Sequence, residues 1–197
     1  MIRRAFDVLV SALGLLLASP ALLVSAVAIR IESPGPVLYR QRRIGLHGEP
    51  FEMLKLRTMV QGAEHLGAGL RIDAGDARIT RVGALLRRSS LDELPNLLNV
   101  LRGEMAIVGP RPTIPSQVEQ YSERQRGRLS VKPGITGWAQ VNGRASLPWS
   151  ERIELDLEYV EKRSLWLDLK ILALTPRLVL GGGGLYKGET GGWEGEL

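Results

Sequence analysis

The chain has 197 residues and carries 26 Lys and Arg against 21 Asp and Glu, a net charge of +5. That length supports one domain with a real core, and the basic balance favours anionic partners: phosphorylated small molecules, an anionic membrane surface or nucleic acid. There is no cysteine and aromatics make up only 5%, which excludes disulfides, thiolate nucleophiles and Cys-ligated zinc and argues against a base-stacking nucleic-acid module.

From Val8 to Ile29 no residue is charged. As a continuous helix this run extends roughly 33 Å, about the core of a bilayer. Three readings compete. A signal peptide accounts for Arg3 and Arg4 and for Ala26-Val27-Ala28 as a cleavage site, but the run is long for one and holds Pro20 in its middle. A spanning helix places one of two basic flanks outside, against the positive-inside tendency. A re-entrant helix keeps both flanks on one side: Pro20 removes a backbone hydrogen bond and bends the helix, and the Ser19 hydroxyl can take a carbonyl so freed. Re-entrance is favoured, spanning is second and cleavage last.

Glu32-Ser33-Pro34-Gly35-Pro36 stops the helix. Val37 to Leu46 and Pro50 to Arg57 read as two strands around a turn at His47-Gly48. The second strand sets Leu54 and Leu56 on one face and Lys55 and Arg57 on the other. Met59 to Leu70 reads as a helix, and Gly67, Gly69 and Gly75 loosen the loop after it. His47 and His65, the two histidines, have no metal-ligand neighbour at a usable spacing.

Arg87-Arg88-Ser89-Ser90-Leu91-Asp92-Glu93-Leu94-Pro95 is the densest chemistry in the chain. Two adjacent carboxylates repel each other, so a site that keeps both ionised supplies a cation. Mg²⁺ suits the pair Asp92 and Glu93, because it takes one or two carboxylates together with substrate phosphates. The structural alternative is a capping box, with Ser90 as N-cap and Glu93 three residues on. A helix to Leu101 follows, ended by Gly103, and then a rigid Pro110-Arg111-Pro112 turn. Arg87 and Arg111 are candidates to grip phosphate oxygens, since arginine offers a bidentate fork, and Lys55 is a further one.

Thr113 to Arg128 reads as a charged surface helix. Lys132 to Arg144, KPGITGWAQVNGR, is a loop by its Gly and Pro content, with Trp138 pinning it to the core. Glu151 to Lys162 is an amphipathic helix. Ser164 to Leu180, interrupted by Pro176, suits a helix lying in the membrane interface or packed on the core. Residues 181–197 are glycine-rich and expected to be disordered.

These motifs together resemble the bacterial sugar transferases, the monotopic phosphoglycosyl transferases. The resemblance runs through Leu86-Arg87, Ser90 to Pro95, Asn99, Leu101, Gly103, Met105 and Val108 to Pro112, and every position of Pro133 to Arg144. It extends to Asp7 and the Ser19-Pro20 break, to Gly35-Pro36-Val37 and to Lys55-Leu56-Arg57-Thr58-Met59. It departs at Leu56, commonly phenylalanine, and at Ala77, commonly proline. It covers about residues 3 to 180.

The resemblance implies an α+β fold, mainly helical with a small antiparallel β element, an N-terminal re-entrant membrane helix (1–31), a catalytic domain with interfacial amphipathic helices (32–180), and the tail 181–197. It implies transfer of a sugar phosphate from a UDP-sugar to polyprenyl (undecaprenyl) phosphate, releasing UMP, as the step that initiates a surface glycan. Asp92 is then the nucleophile that carries the phosphosugar, and Glu93 helps hold Mg²⁺. Trp138, Gln140, Asn142 and Arg144 are implied in nucleotide binding. The location implied is the bacterial inner membrane, catalytic domain on the cytoplasmic face, with membrane lipid as a partner and no nucleic acid. A non-catalytic basic membrane anchor explains the charge and the apolar run but leaves Asp92-Glu93 without a role, and an ordinary glycosyltransferase would release UDP.

Overall fold

The computed structural model describes residues 2–66, 75–143 and 146–181. Arg144 and the tail beyond Gly181 lie outside these residues. The element order is α1 (Ile2–Glu32), β1 (Leu38–Ile44), β2 (Pro50–Leu56), α2 (Arg81–Ser89), α3 (Asn96–Arg102), β3 (Ala106–Val108), α4 (Pro115–Glu119), α5 (Glu123–Arg126), β4 (Gly134–Thr136), α6 (Trp138–Val141), α7 (Trp149–Glu161) and α8 (Leu165–Gly181). Strands β1 and β2 pair antiparallel, Leu38 against Leu56 through Ile44 against Pro50, as the sequence predicts. A second small sheet, β3 parallel to β4, lies where only a loop is expected.

The main core is built from both strand pairs and three helices. Met53, Val100, Met105, Tyr159 and Ile171 are fully buried in it, and each apolar side chain of this size contributes about 1.5–3 kcal/mol by burial. Asn99, also fully buried, joins α3 to β2: its Oδ1 accepts from the Leu54 N–H at 3.1 Å and its Nδ2 donates to the Glu52 carbonyl at 2.7 Å.

Helix α1 is long and apolar enough to cross a membrane. Its two faces differ. Asp7, Ser11, Ser25 and Ile29 are buried against the domain, whereas Leu9, Leu13, Leu16, Leu17, Leu23 and Val24 are exposed. The helix continues through Pro20, and the Ser19 hydroxyl donates to the Leu16 carbonyl at 2.7 Å. Leu16 is the residue whose i+4 partner is the proline, so the hydroxyl replaces the missing N–H.

Both ends of α1 are tied to the same domain. At the N-terminal end Arg4 donates to the carbonyls of Val100 and Leu101 in the last turn of α3, the negative end of that helix. Asp7 accepts from the Ile107 N–H at 3.0 Å, and Arg3 pairs with Asp168 at 2.7 Å. At the C-terminal end the Glu32 carboxylate accepts from the N–H groups of Arg81 and Val82, at 2.7 and 2.9 Å, capping α2. Thr80 completes that cap through the Gly83 N–H.

Three readings are corrected. The described part of Met59 to Leu70 is no α-helix: Gly62 adopts φ +74° and only a 3₁₀ turn at Ala63–His65 follows. Thr113 to Arg128 is not one surface helix, because Ser122 opens a new helix with its own capping box to Gln125, and Tyr121 and Arg128 turn into the interior. The capping box at Ser90 is absent: Ser90, at φ +55°, closes α2 and leads into the 3₁₀ turn Leu91–Glu93 with no capping bond from its side chain.

Candidate active site

The dyad is placed by a sharp reversal. Helix α2 packs so tightly that a Cβ on Gly83 would lie 2.0 Å from the Thr58 carbonyl oxygen. It ends at Ser90 in the left-handed region, and the 3₁₀ turn Leu91–Glu93 then presents both carboxylates before Pro95 and α3. Lys55, Arg87, Asp92, Glu93, Arg111 and Gln140 all line one cavity of about 540 Å³, a size typical of small-ligand sites.

Within that cavity the two carboxylates are treated differently. Glu93 is clamped: Lys55 Nζ lies 2.9 Å from Oε1, and Arg111 reaches the same oxygen at 2.5 Å and Oε2 at 3.3 Å. Burial alone would raise its pKa, but Arg111 and Lys55 hold it well below the ordinary carboxylate range. Asp92 is buried, and among the described residues no hydrogen bond or ion pair engages its carboxylate. Burial, with the Glu93 charge beside it, pushes Asp92 up to about 6. Lys55 is drawn down by burial against the pull of Glu93, and Arg111 is raised, chiefly by Glu93. Arg87 donates through Nε to Thr58 Oγ1 at 2.8 Å.

Arg111 owes its position to backbone packing. The Gly109 N–H donates to the Thr136 carbonyl and the Gly134 N–H to the Pro110 carbonyl, both at 2.9 Å. A Cβ on Gly109 would meet the Lys132 carbonyl oxygen at 2.4 Å, and one on Gly137 would meet the Gly109 carbonyl oxygen at 2.1 Å. The Gly-Pro-Arg-Pro and Pro-Gly-Ile-Thr-Gly motifs are thus two sides of one close contact. From below, Arg128 donates to the Arg111 carbonyl at 3.0 Å, to Tyr121 Oη and to Asp156 Oδ2. Arg43 donates to the Pro112 carbonyl at 3.1 Å; burial and the neighbouring Arg111 push its pKa down to about 10.

Trp138 and Asn142 stand outside the cavity lining. The Trp138 indole N–H donates to Glu158 Oε2 at 3.0 Å and Lys170 Nζ lies 4.9 Å from the ring centre, while Asn142 donates to the Trp138 carbonyl. This is the pinning arrangement. Arg144 lies outside the described residues, and Ser19 and Pro20 lie on α1, away from the cavity. The reading from sequence missed Arg128, Arg152 and Asp156, which line the cavity as well. The signal was present in α7: Arg152 and Asp156, four residues apart, flank the apolar positions Ile153 and Leu157.

No cluster of three or more His, Asp or Glu occurs among the described residues. Mg²⁺ needs only one or two carboxylates when substrate phosphates complete its shell. The free Asp92 carboxylate, raised by burial, suits that role. Glu93 has both oxygens already in ion pairs.

The cavity thus holds one free and one clamped carboxylate among basic side chains, on a domain tied to a long apolar helix. The chain belongs to the bacterial sugar transferase family, whose model matches residues 1–182. It is 44% identical over 180 residues to the uncharacterized sugar transferase EpsL of Bacillus subtilis, covering 91% of this chain and 88% of that protein. It is 48% identical over 181 residues to a UDP-glucose:undecaprenyl-phosphate glucose-1-phosphate transferase of Caulobacter vibrioides, covering 88% of this chain and 67% of that one. An Escherichia coli transferase of the same name is 46% identical over 183 residues, 89% of this chain, and the match spans only 39% of its own length.

Proposed function

We propose that the chain transfers a sugar phosphate from a UDP-sugar to undecaprenyl phosphate, with Asp92 as nucleophile and UMP as the leaving product. The observation that carries this reading is the asymmetry of the dyad. Glu93 is neutralised by two cations, and Asp92 has a lone carboxylate in the same basic cavity. The names of the Caulobacter and Escherichia coli relatives supply the donor and acceptor classes.

In the first step an Asp92 oxygen attacks the β-phosphorus of the donor. The bond to the bridging oxygen breaks, UMP leaves with the electron pair, and the phosphosugar remains as an acyl phosphate. In the second step a phosphate oxygen of the acceptor attacks that phosphorus and the Asp92 carboxylate departs, giving the polyprenyl-diphosphate sugar. Arg87 and Arg111 bind and orient the phosphate oxygens. Lys55 holds Glu93 in place, and Glu93 in turn orients Arg111. Asp92 would hold Mg²⁺ together with the donor diphosphate, and Glu93 would join it on releasing one ion pair. Bound there, the ion neutralises charge on the diphosphate.

The acceptor is a lipid, so the domain must sit at a membrane face. Both ends of α1 contact one domain, which supports a helix that enters and leaves the bilayer on one side, and the proposed side is the cytoplasmic face of the inner membrane. The test is chemical. Purified protein is mixed with labelled UDP-glucose and Mg²⁺ without acceptor, and an acyl-phosphate adduct on Asp92 is sought by mass spectrometry. Adding undecaprenyl phosphate should discharge it with UMP already free. Release of UDP, or an adduct on another residue, would overturn the scheme.

A further inference from the structure

Arg43, on β1, lines the dyad cavity and takes no part in the chemistry above. Its Nε and Nη2 donate to Gln41 Oε1 at 3.1 and 2.6 Å, and its Nη1 donates to the Pro112 carbonyl at 3.1 Å. Every one of these partners is a neutral oxygen. Each terminal nitrogen of a guanidinium carries a second N–H, and among the described residues neither finds a further acceptor. Nor, among those residues, does any carboxylate come within ion-pair distance of Arg43.

Other cations of the cavity are balanced, Lys55 and Arg111 by Glu93 and Arg128 by Asp156. The strongest charge acting on Arg43 is instead a like one, Arg111, whose repulsion adds to burial in disfavouring the cation. The backbone prevents the two from moving apart. The Ile44 N–H donates to the Thr113 carbonyl at 2.9 Å, which ties the residue after Arg43 to the turn that carries Arg111. A cation held against a like charge is costly until an anion joins it.

We propose that Arg43 is a second anion-binding residue beside Arg111, and that the two together receive a phosphoryl group of the substrate, from the donor diphosphate or from the acceptor phosphate. The inference rests on the phosphosugar-transfer reading and adds a ligand-binding group to it. Guanidinium N–H groups fork onto more than one phosphoryl oxygen. Gln41 and the Pro112 carbonyl fix the plane of this guanidinium, which spares the ligand the cost of ordering it. Arg111 is drawn to Glu93, whereas the charge of Arg43 is uncommitted when substrate arrives.

Inorganic pyrophosphate is the probe, titrated by calorimetry into the full-length protein in detergent. The wild type should bind it, and Arg43→Gln should weaken binding about tenfold or more. Arg43→Lys, which keeps the charge but not the fork, should recover part of that loss and serves if the glutamine variant fails to fold. Because Arg43 also holds the Pro112 carbonyl, Arg111→Gln separates binding from positioning. Adding Arg43→Gln to Arg111→Gln should weaken pyrophosphate further. No further loss in the double variant means that Arg43 acts only by placing Arg111, and overturns the proposal. Wild-type affinity in Arg43→Gln, or no binding by the wild type, overturns it as well. In turnover by Arg43→Gln, a raised KM for UDP-glucose marks the donor diphosphate as the group held, and a raised KM for undecaprenyl phosphate marks the acceptor. Both KM values unchanged again overturns it. Release of UDP by the wild type overturns the transfer reading beneath and leaves the pyrophosphate result standing.

Discussion

The guanidinium of Arg128 donates to the backbone carbonyl of Arg111 at 3.0 Å. A residue outside every motif thus props the turn that brings Arg111 to the dyad, and it is itself held by Asp156, buried alongside it. Breaking one side of a buried ion pair strands the other charge. Asp156→Asn should therefore cost about 3–5 kcal/mol, read as a lower Tm. The double variant Arg128→Met/Asp156→Leu should recover much of that stability without recovering turnover. Restoration of both would show that Arg128 plays no part in placing Arg111.

The second expectation concerns pH. Asp92 titrates at about 6 because burial and then Glu93 disfavour its charge. An ordinary aspartate titrates near ~4. In the proposed scheme the ionised form attacks, so kcat/KM should be high above pH 6 and fall as pH drops through about 6. As pH falls the proton goes to Asp92 first, since Arg111 and Lys55 keep Glu93 ionised. Glu93→Gln removes the like charge and frees two cations to act on Asp92. Its acid limb should move to lower pH, and a limb that stays or moves up would contradict the assignment.

Gly109 tests the contact between the two loop motifs. Gly109→Ala puts a Cβ 2.4 Å from the Lys132 carbonyl oxygen, which forces β3 and β4 apart. It should cost ~1–3 kcal/mol and abolish donor binding. Gly48→Ala is the control: it has open space around it and a φ of +86°, so strain alone should cost about 1–2 kcal/mol and leave turnover intact. Indistinguishable Tm and kcat in the two variants would count against the contact.

Topology can be read with thiols, since the natural chain has no cysteine. Ile2→Cys and Ser33→Cys mark the two ends of α1. In intact cells both should resist an impermeant thiol reagent, and both should react after permeabilisation. Labelling of Ile2→Cys from outside would establish a spanning helix. Pro20→Ala, which restores the helical N–H, should shift the segment toward spanning.

Some of this architecture is written in local pattern and some is not. The β1–β2 hairpin, the apolar helix and the Ser19 substitution for the missing Pro20 hydrogen bond all follow from neighbours a few residues apart. The dyad is legible because its two carboxylates are adjacent. The fate of its partners is not: alternation along β2 marks Lys55 and Arg57 as a solvated face, yet Lys55 pairs with Glu93 and Arg57 is buried against the carbonyls of Ser33 and Pro34. Pairings across tens of residues leave no periodic trace. Arg128 looks like one more charge on a polar helix until Tyr121, Asp156 and Arg111 close around it.

The ties at the two ends of α1 have a practical consequence. A version of the protein starting at residue 33 would lose the donors to Val100 and Leu101 and the acceptors for Ile107, Arg81 and Val82. Those are the terminal groups of α2 and α3, the two helices on either side of the Asp92 turn, and the edge of the strand leading to Arg111. Cutting off the greasy segment to obtain a soluble enzyme would unpick the frame of its own chemistry. The apolar helix is a structural member of the domain that holds the dyad, and solubility has to be sought by changing its outer leucines rather than by removing it.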